Sequence, residues 1–390
     1  MIKRELASKL ETLSRQYPVV TVTGPRQSGK TTLVKAVFPK WTYVSLEEPD
    51  IREYALSDPR GFIEAYPEGA ILDEIQRAPD LFSYIQTHVD NKNKEGVYIL
   101  TGSFNFGLLE GISQSLAGRV AVLELLPLAY SEMVQSEIAP GSIEELMFIG
   151  GYPRIYDRSL TPQQWYGNYV TAYLERDVRQ VKNVTDLSVF QRFLKMCAAR
   201  SGQILNLSSL GDDCGITHNT AKSWLSILEA GYIVYLLKPH HQNFNKRLIK
   251  SPKIYFYDSG LLSYLLGISD PEILRTHASR GHIFETWVIS ELLKGRMNRG
   301  LRDNLYFWRD NQGHEIDCIV DQGDLLIPIE IKSGKTVSHD FFKGLRFWSK
   351  ISGADAKQMV LVYAGSMDQT RKDGKVLSWK SFGITLPMGV

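Results

Sequence analysis

The sequence predicts an α/β protein. A parallel sheet around a glycine-rich loop comes first, then a helical stretch, a two-helix unit with a strand hairpin, and a second α/β domain. Three observations carry this. "YPVVTVTGPRQSGKTTLVKAVF" reads as strand, glycine-rich loop and helix. Short β-branched apolar runs then alternate with helical periodicity as far as about residue 130. Further on, "HEIDCIVDQGDLLIPIEIKSG" follows a helical segment and alternates with period two.

The 390 residues are 43% hydrophobic and 23% charged, which is the balance of an ordinary globular chain and excludes the disordered and collagenous classes. That length suits roughly two or three domains, and the pattern places boundaries at 1–130, 131–200, 201–257 and 258–390. A net charge of +2 argues neither for nor against a nucleic-acid partner, because distribution matters more than the sum. Cys197, Cys214 and Cys318 lack Cys-x-x-Cys spacing, so buried thiols in a reducing compartment are expected and a zinc site is not. The opening "MIKRELASKLETLSRQY" has no apolar signal core, and no apolar run is long enough to span a bilayer. The expectation is a cytoplasmic protein without a membrane partner.

The first element of interest is "GPRQSGKT", which matches G-x-x-x-x-G-K-[ST] with Gly24 and Gly29 at the required spacing. Gly24, Pro25, Arg26, Gln27, Ser28, Gly29, Lys30, Thr31 and Thr32 are therefore expected to cradle ATP. The glycines let backbone N–H groups face the phosphates, Lys30 neutralises β- and γ-phosphate charge, and the Thr31 hydroxyl ligates Mg²⁺. The same Ser-Gly-Lys-Thr recurs at Ser333–Thr336, but Ile329 stands where the first glycine should be. Only the first copy is expected to hold nucleotide.

A phosphate loop needs a carboxylate at the end of a neighbouring strand. "GAILDEIQRAP" supplies Asp73, expected to hold Mg²⁺ through water, and Glu74, expected to polarise the attacking water. "GVYILTGSFNF" is another buried strand, after which Ser103 or Asn105 is placed to meet the γ-phosphate or the water. With "WTYVSLE" as the second strand and "VAVLELLPL" as the fifth, five strands alternate with helices.

At this point the segment resembles the AAA+ ATPases. That resemblance implies an arginine finger at the end of the helix before the fifth strand, where Arg119 stands, and hence a homo-oligomer in which Arg119 reaches a neighbour's ATP.

From about Ser131 the periodicity is helical, broken at Gly150-Gly151 and Pro153, and reads as a lid in which Arg154 is placed to sense nucleotide. "LSSLGDDCGITHNTAKSWLSILEAGYIVYLL" then spaces Leu210, Ile216, Leu225 and Leu228 like the core of two helices with a turn at Cys214-Gly215. With the strand "KIYFYD" this is a winged helix-turn-helix pattern. Its second helix is expected to present His218, Asn219, Thr220, Lys222 and Ser223, and its wing Lys246 and Arg247, to double-stranded DNA.

In the last domain, a two-residue turn at Gln322-Gly323 sets Asp317 near Pro328. Ile316, Cys318 and Val320 then share a face with Leu325, Ile327, Ile329 and Ile331. Glu315, Asp317, Glu330 and Lys332 share the other. This resembles the PD-(D/E)xK nuclease fold. The resemblance implies that Glu285 (or, as the alternative, Glu291), Asp317 and Glu330 hold metal, and that Lys332 orients a water. Lys343, Arg346, Lys350 and further basic residues as far as Lys380 suit a phosphate-facing surface.

Taken whole, the chain is similar to a widespread prokaryotic family of ATP-binding proteins that join an AAA-type domain to a C-terminal domain of unknown function. "ILDEIQ", "LAGRV", "GGYPR", "YLERDV", "FETWV" and "IEIKSG" carry the match beside the loop. Three readings follow. The first is a Mg²⁺-dependent ATPase whose nucleotide state controls a DNA-binding, nuclease-like module. The second is an ATP-regulated, metal-dependent nuclease, and the third a nucleotide-gated switch that binds protein and no nucleic acid.

Overall fold

The β-branched run before Gly24 folds as β1 (Val19–Thr23), buried along its whole length. It pairs in parallel with β4 (Tyr98–Thr101) on one side and β5 (Val120–Glu124) on the other. β2 (Tyr43–Ser45) and β3 (Ala70–Asp73) complete a five-stranded parallel sheet of order β2-β3-β4-β1-β5. The five strands expected from sequence are all present. Helices cover both faces, which is why the strands read as nearly continuous apolar runs. One face packs α3 (Pro49–Ser57), α4 (Pro59–Glu64) and α5 (Leu81–Lys92) over Leu72 and Leu100. The other packs α1 (Leu6–Ser14) and α2 (Lys30–Val37) over Val20, Ile71 and Ile99.

The computed structural model describes residues 2–103, 115–174, 186–241 and 249–385. It divides into two units. The first comprises Met1–Leu128, Ala230–Tyr232 and Met297–Leu301; the second comprises Ala129–Glu229, Ile233–Arg296 and Arg302–Val390. Asn105, Lys246 and Arg247 lie outside the described residues. Among those described, no helix is long and apolar enough to cross a membrane. The three cysteines are buried and unpaired.

In the second unit the helical stretch comprises α6 (Tyr130–Gln135), α7 (Ile143–Ile149), α8 (Pro153–Asp157), α9 (Pro162–Tyr169) and α10 (Leu187–Ala199). The Gly150-Gly151 break is a packing knot. The buried Asp258 carboxylate accepts hydrogen bonds from Gly151 N (2.7 Å), Leu261 N (2.9 Å) and the Tyr166 hydroxyl (2.6 Å). Gly150 adopts φ +73°, and a Cβ there would lie 2.3 Å from Tyr166 Oη.

α11 (Leu207–Cys214) and α12 (His218–Ala230) follow, with Gly215 at φ +71° in the turn between them. Trp224 packs edge-on against Phe190 and Phe193 and so belongs to the core. His218, Asn219 and Lys222 are exposed as expected, whereas Thr220 and Ser223 are half-buried. β6 (Val234–Pro239) and β7 (Lys253–Phe256) form an antiparallel hairpin. β6 also pairs with β8 (Leu305–Arg309). With β9 (Glu315–Asp321), β10 (Leu326–Lys332), β11 (Val360–Tyr363), β12 (Gln369–Arg371) and β13 (Gly374–Ser378), this makes the hairpin one end of an eight-stranded sheet of order β12-β13-β11-β10-β9-β8-β6-β7. α13 (Ser259–Leu265), α14 (Arg280–Met297) and α15 (Lys343–Ser352) are further helices of this unit.

The register of β9 (Glu315–Asp321) against β10 (Leu326–Lys332) differs from the sequence expectation by two residues. The pairs are Leu326 with Asp321 and Ile329 with Cys318, so Pro328 meets Ile319 rather than Asp317. The turn is centred one residue later than expected, at Gly323-Asp324: Gln322 N closes onto Leu325 O (2.9 Å), and Asp321 Oδ1 accepts from Gly323 N (2.8 Å). A shift of two preserves the pleat. Ile316, Cys318, Val320, Ile327, Ile329 and Ile331 are accordingly all buried.

Candidate nucleotide site and C-terminal cleft

The parallel strands of the first unit end along one edge, where ligands of open α/β sheets bind. Gly24 leaves β1 there at φ +140°, and a Cβ would lie 2.2 Å from Leu125 O, so only glycine fits. Gln27 (φ +63°) and Gly29 (φ +94°) turn the loop into α2. Lys30 is buried and donates to its own loop, to Gly24 O (3.0 Å) and Pro25 O (2.8 Å). Burial lowers its pKa to about 8, against the pull of Glu74 and Asp73. The buried Ser28 hydroxyl makes no hydrogen bond. Sequence reasoning missed Arg4, which braces the loop by donating to Ser28 O and Leu126 O, both at 2.7 Å. It also missed the Tyr232 hydroxyl, 2.9 Å from Thr23 Oγ1.

Asp73 and Glu74 stand at the end of β3 as expected. Asp73 accepts from Thr31 Oγ1 (3.0 Å), from the Tyr43 hydroxyl (2.6 Å) and from Thr101 Oγ1. Burial, reinforced by the hydrogen bond to Asp73, pushes the Tyr43 hydroxyl pKa up, so it stays a donor. Glu74 sits in the left-handed region (φ +57°, ψ +44°), a conformation uncommon outside glycine. Its Oε1 accepts from Ser103 Oγ at 2.8 Å and its Oε2 from Gln76 Nε2. Ser103 therefore meets Glu74 itself.

Arg119 lies at the opposite edge of the sheet. Val19 pairs with Val120, so Arg119 is a full strand length from Gly24, on the order of 16 Å. Its guanidinium forms a two-pronged pair with Asp90, Nε to Oδ1 at 2.5 Å and Nη2 to Oδ2 at 2.9 Å. Arg154 lies on α8 in the other unit.

The second unit contains a cleft of about 1040 Å³ that brings Glu285, Asp317, Glu330 and Lys332 together. Glu285 comes from α14. Lys332 Nζ lies 3.1 Å from Asp317 Oδ2 and 2.6 Å from Glu330 Oε2. Ile331 N donates to Asp317 Oδ2 at 2.8 Å. Burial pushes the Asp317 carboxyl up, but Lys332 and Lys253 outweigh it and hold it below its usual range. Burial raises Glu330, with Asp317 adding to the effect, and it raises Glu285 against the pull of Lys253. The Glu330 side chain is packed so tightly that a Cβ on Gly344 would lie 1.8 Å from Oε1.

Glu291, the alternative acid, is not in this cleft. It accepts from Lys294 Nζ (2.8 Å) and Tyr130 N (2.7 Å) in the helical packing. The second Ser-Gly-Lys-Thr has a structural role. Arg280 donates to Ser333 O, and Lys335 Nζ lies 3.1 Å from the buried Glu144, which Arg280 also contacts at 3.0 Å. No helix opens at Thr336.

A loop of this shape joining a parallel strand to a helix, with acids at the end of β3 across the intervening β4, defines a P-loop ATPase of the AAA type. A family model described as "AAA domain" matches residues 16–134. Two models for domains of unknown function, DUF8612 and DUF4143, match residues 141–272 and 280–382. The chain is 31% identical over 369 residues to the protein Rv2008c of Mycobacterium tuberculosis, covering 93% of this chain and 80% of that one. It is 22% identical over 356 residues to MJ1544 of Methanocaldococcus jannaschii, covering 81% and 76%. Among solved structures, the Walker-type ATPase PABY2304 of Pyrococcus abyssi overlays with a TM-score of 0.46 at 15% identity, over 68% of this chain and 96% of that one. The chain belongs to the family of AAA-domain proteins, with following domains of unknown function, that includes Rv2008c. It is an ATPase.

Proposed function

We propose that this protein hydrolyses ATP with Mg²⁺ at the loop of residues 24–32, and that its nucleotide state controls DNA binding by the C-terminal unit. The observation that carries the hydrolytic part is the hydroxyl-held pair Asp73 and Glu74 beside Thr31 and Lys30. Thr31 Oγ1 and Asp73 Oδ2 converge, which suits Mg²⁺, an ion that takes one or two protein ligands and leaves the rest to phosphate and water. Held there, the ion would supply charge neutralisation to the phosphates. Lys30 exchanges its loop carbonyls for phosphate oxygens. Glu74, aimed by Ser103, accepts the proton of the attacking water. Arg119, released from Asp90, serves a neighbouring copy.

The DNA-binding part rests on charge. Lys343, Arg346 and Lys350 lie on one side of α15 and line the cleft, and α11–α12 with the β6–β7 hairpin read as a winged helix-turn-helix. Steady-state ATP hydrolysis with and without double-stranded DNA, with Lys30→Ala as the blank, tests the reading. Stimulation lost in the blank supports it. Hydrolysis indifferent to DNA sinks the coupling and turns attention to a protein-directed switch.

The convergence of Glu285, Asp317, Glu330 and Lys332 favours a second reading, a metal-dependent nuclease. The metal does not fit this arrangement. Among the described residues no three His, Cys, Asp or Glu side chains are grouped to hold an ion. Cleavage of double-stranded DNA in Mg²⁺, abolished by Lys332→Ala, is the outcome that would establish it.

A further inference from the structure

The cleft contains a charged side chain that the sequence motif does not include. Lys253 projects from β7 with its side chain only 4% exposed. Its Nζ lies 3.0 Å from Glu285 Oε1 and also contacts Glu315 Oε1. The Tyr255 hydroxyl donates to the same Glu285 oxygen at 2.5 Å. Lys332 joins the other two acids, Asp317 and Glu330. Glu315 is further held by Arg309 at 3.0 Å. Each of these four carboxylates is thus bound by an ammonium.

Four buried or half-buried carboxylates cannot stand together uncompensated. The compensating charge is either a divalent ion or a protein cation, and the two exclude each other in one place. Mg²⁺ needs oxygens at about 2.0–2.1 Å in near-octahedral array, whereas acids spread around an ammonium sit near 3 Å from its nitrogen. Lys253 is not a loose tail that would yield. β7 is held in register by β6, with Leu237 opposite Lys253, and by the bridge from Ile204 to Lys253.

We propose that Lys253 is the resident cation of this cleft: its ammonium fills the position that Glu285 and Glu315, beside Asp317, would otherwise offer to a divalent ion, and it keeps the cleft free of metal. The strength with which Lys253 holds its proton agrees with this. Burial works against the charge, but Glu285 and Glu315 more than offset it and raise the pKa above the ordinary lysine value. The inference concerns the second unit alone and does not depend on ATP hydrolysis at the first.

Mn²⁺ binding to the nucleotide-free full chain, counted by electron paramagnetic resonance, tests it. In the wild type, Glu285→Gln should leave the number of bound ions unchanged. Lys253→Met should gain one ion, and adding Glu285→Gln should remove it. Lys253→Arg, which keeps a cation, should gain none. A wild-type ion that depends on Glu285 overturns the proposal, and so does a cooperatively melting Lys253→Met that gains nothing. If Lys253→Met does not fold, the wild type decides alone: a Glu285-dependent ion refutes the proposal, and its absence supports it.

Discussion

Ser103 Oγ donates a 2.8 Å hydrogen bond to Glu74 Oε1 and so ties the segment after β4 to the end of β3. Glu74 occupies the left-handed region, and the bond fixes a side chain whose backbone is already unusual. Removing it by Ser103→Ala should lower kcat by about tenfold or more while leaving the KM for ATP nearly unchanged, because positioning a general base acts on the chemical step and not on binding. An equal rise in KM would show that Ser103 contacts nucleotide directly.

Lys30 sets a pH dependence on nucleotide binding. Its pKa in the free protein is about 8, below the ordinary 10.5, because burial disfavours the charge. Triphosphate favours the charge and raises the pKa in the complex. ATP affinity should therefore be flat below about pH 8 and fall above it, and binding at pH 8.5 should take up a proton, measurable by calorimetry in two buffers of different ionisation enthalpy. The folded pKa lies below the unfolded one, so this group's contribution to stability rises with pH between about 8 and 10.5. Proton release on binding would contradict the assignment.

If Arg119 acts on a neighbour, Arg119→Ala should reduce hydrolysis by at least about a hundredfold with ATP affinity retained. Mixing it with Lys30→Ala should restore part of the activity, since one copy then supplies an intact loop and the other an intact arginine. A mixture as inactive as its components would leave Arg119 as the ion-pair partner of Asp90.

The two copies of Ser-Gly-Lys-Thr should separate cleanly. Lys335→Ala should leave ATP affinity unchanged and alter stability little, because its side chain is 57% exposed. Arg280→Met strips the nearer cation from Glu144, which is 2% exposed. It should cost roughly 3 kcal/mol, visible as a lower midpoint in a urea melt.

Much of this was legible in the residues because it is local. The loop motif, the Asp73–Glu74 pair and the alternation of Glu315, Asp317, Glu330 and Lys332 depend on spacing within a few residues. Tyr43 and Thr101 were not legible as partners of Asp73, because nothing in "WTYVSLE" says that β2 lies beside β3 or that β4 follows on its other side. Lys253 escaped for the same reason: sixty-two residues (315 less 253) separate it from Glu315, and only sheet order brings β7 to the cleft. The hairpin register failed on a single local event: the turn closes at Gln322 and Leu325, one residue later than expected, where the Asp321 side chain accepts from Gly323 N.

That two-residue discrepancy bears on how length variation can be tolerated in this hairpin. Where the strands slide to absorb an insertion or deletion at residues 322–325, an odd shift would turn Asp317 and Glu315 toward the side now filled by Cys318 and Ile329, driving carboxylates into the apolar layer. An even shift would only slide them along the same side. Relatives that keep the cleft's acids should therefore differ here by even numbers of residues, or carry the odd residue as a bulge that restores the pleat.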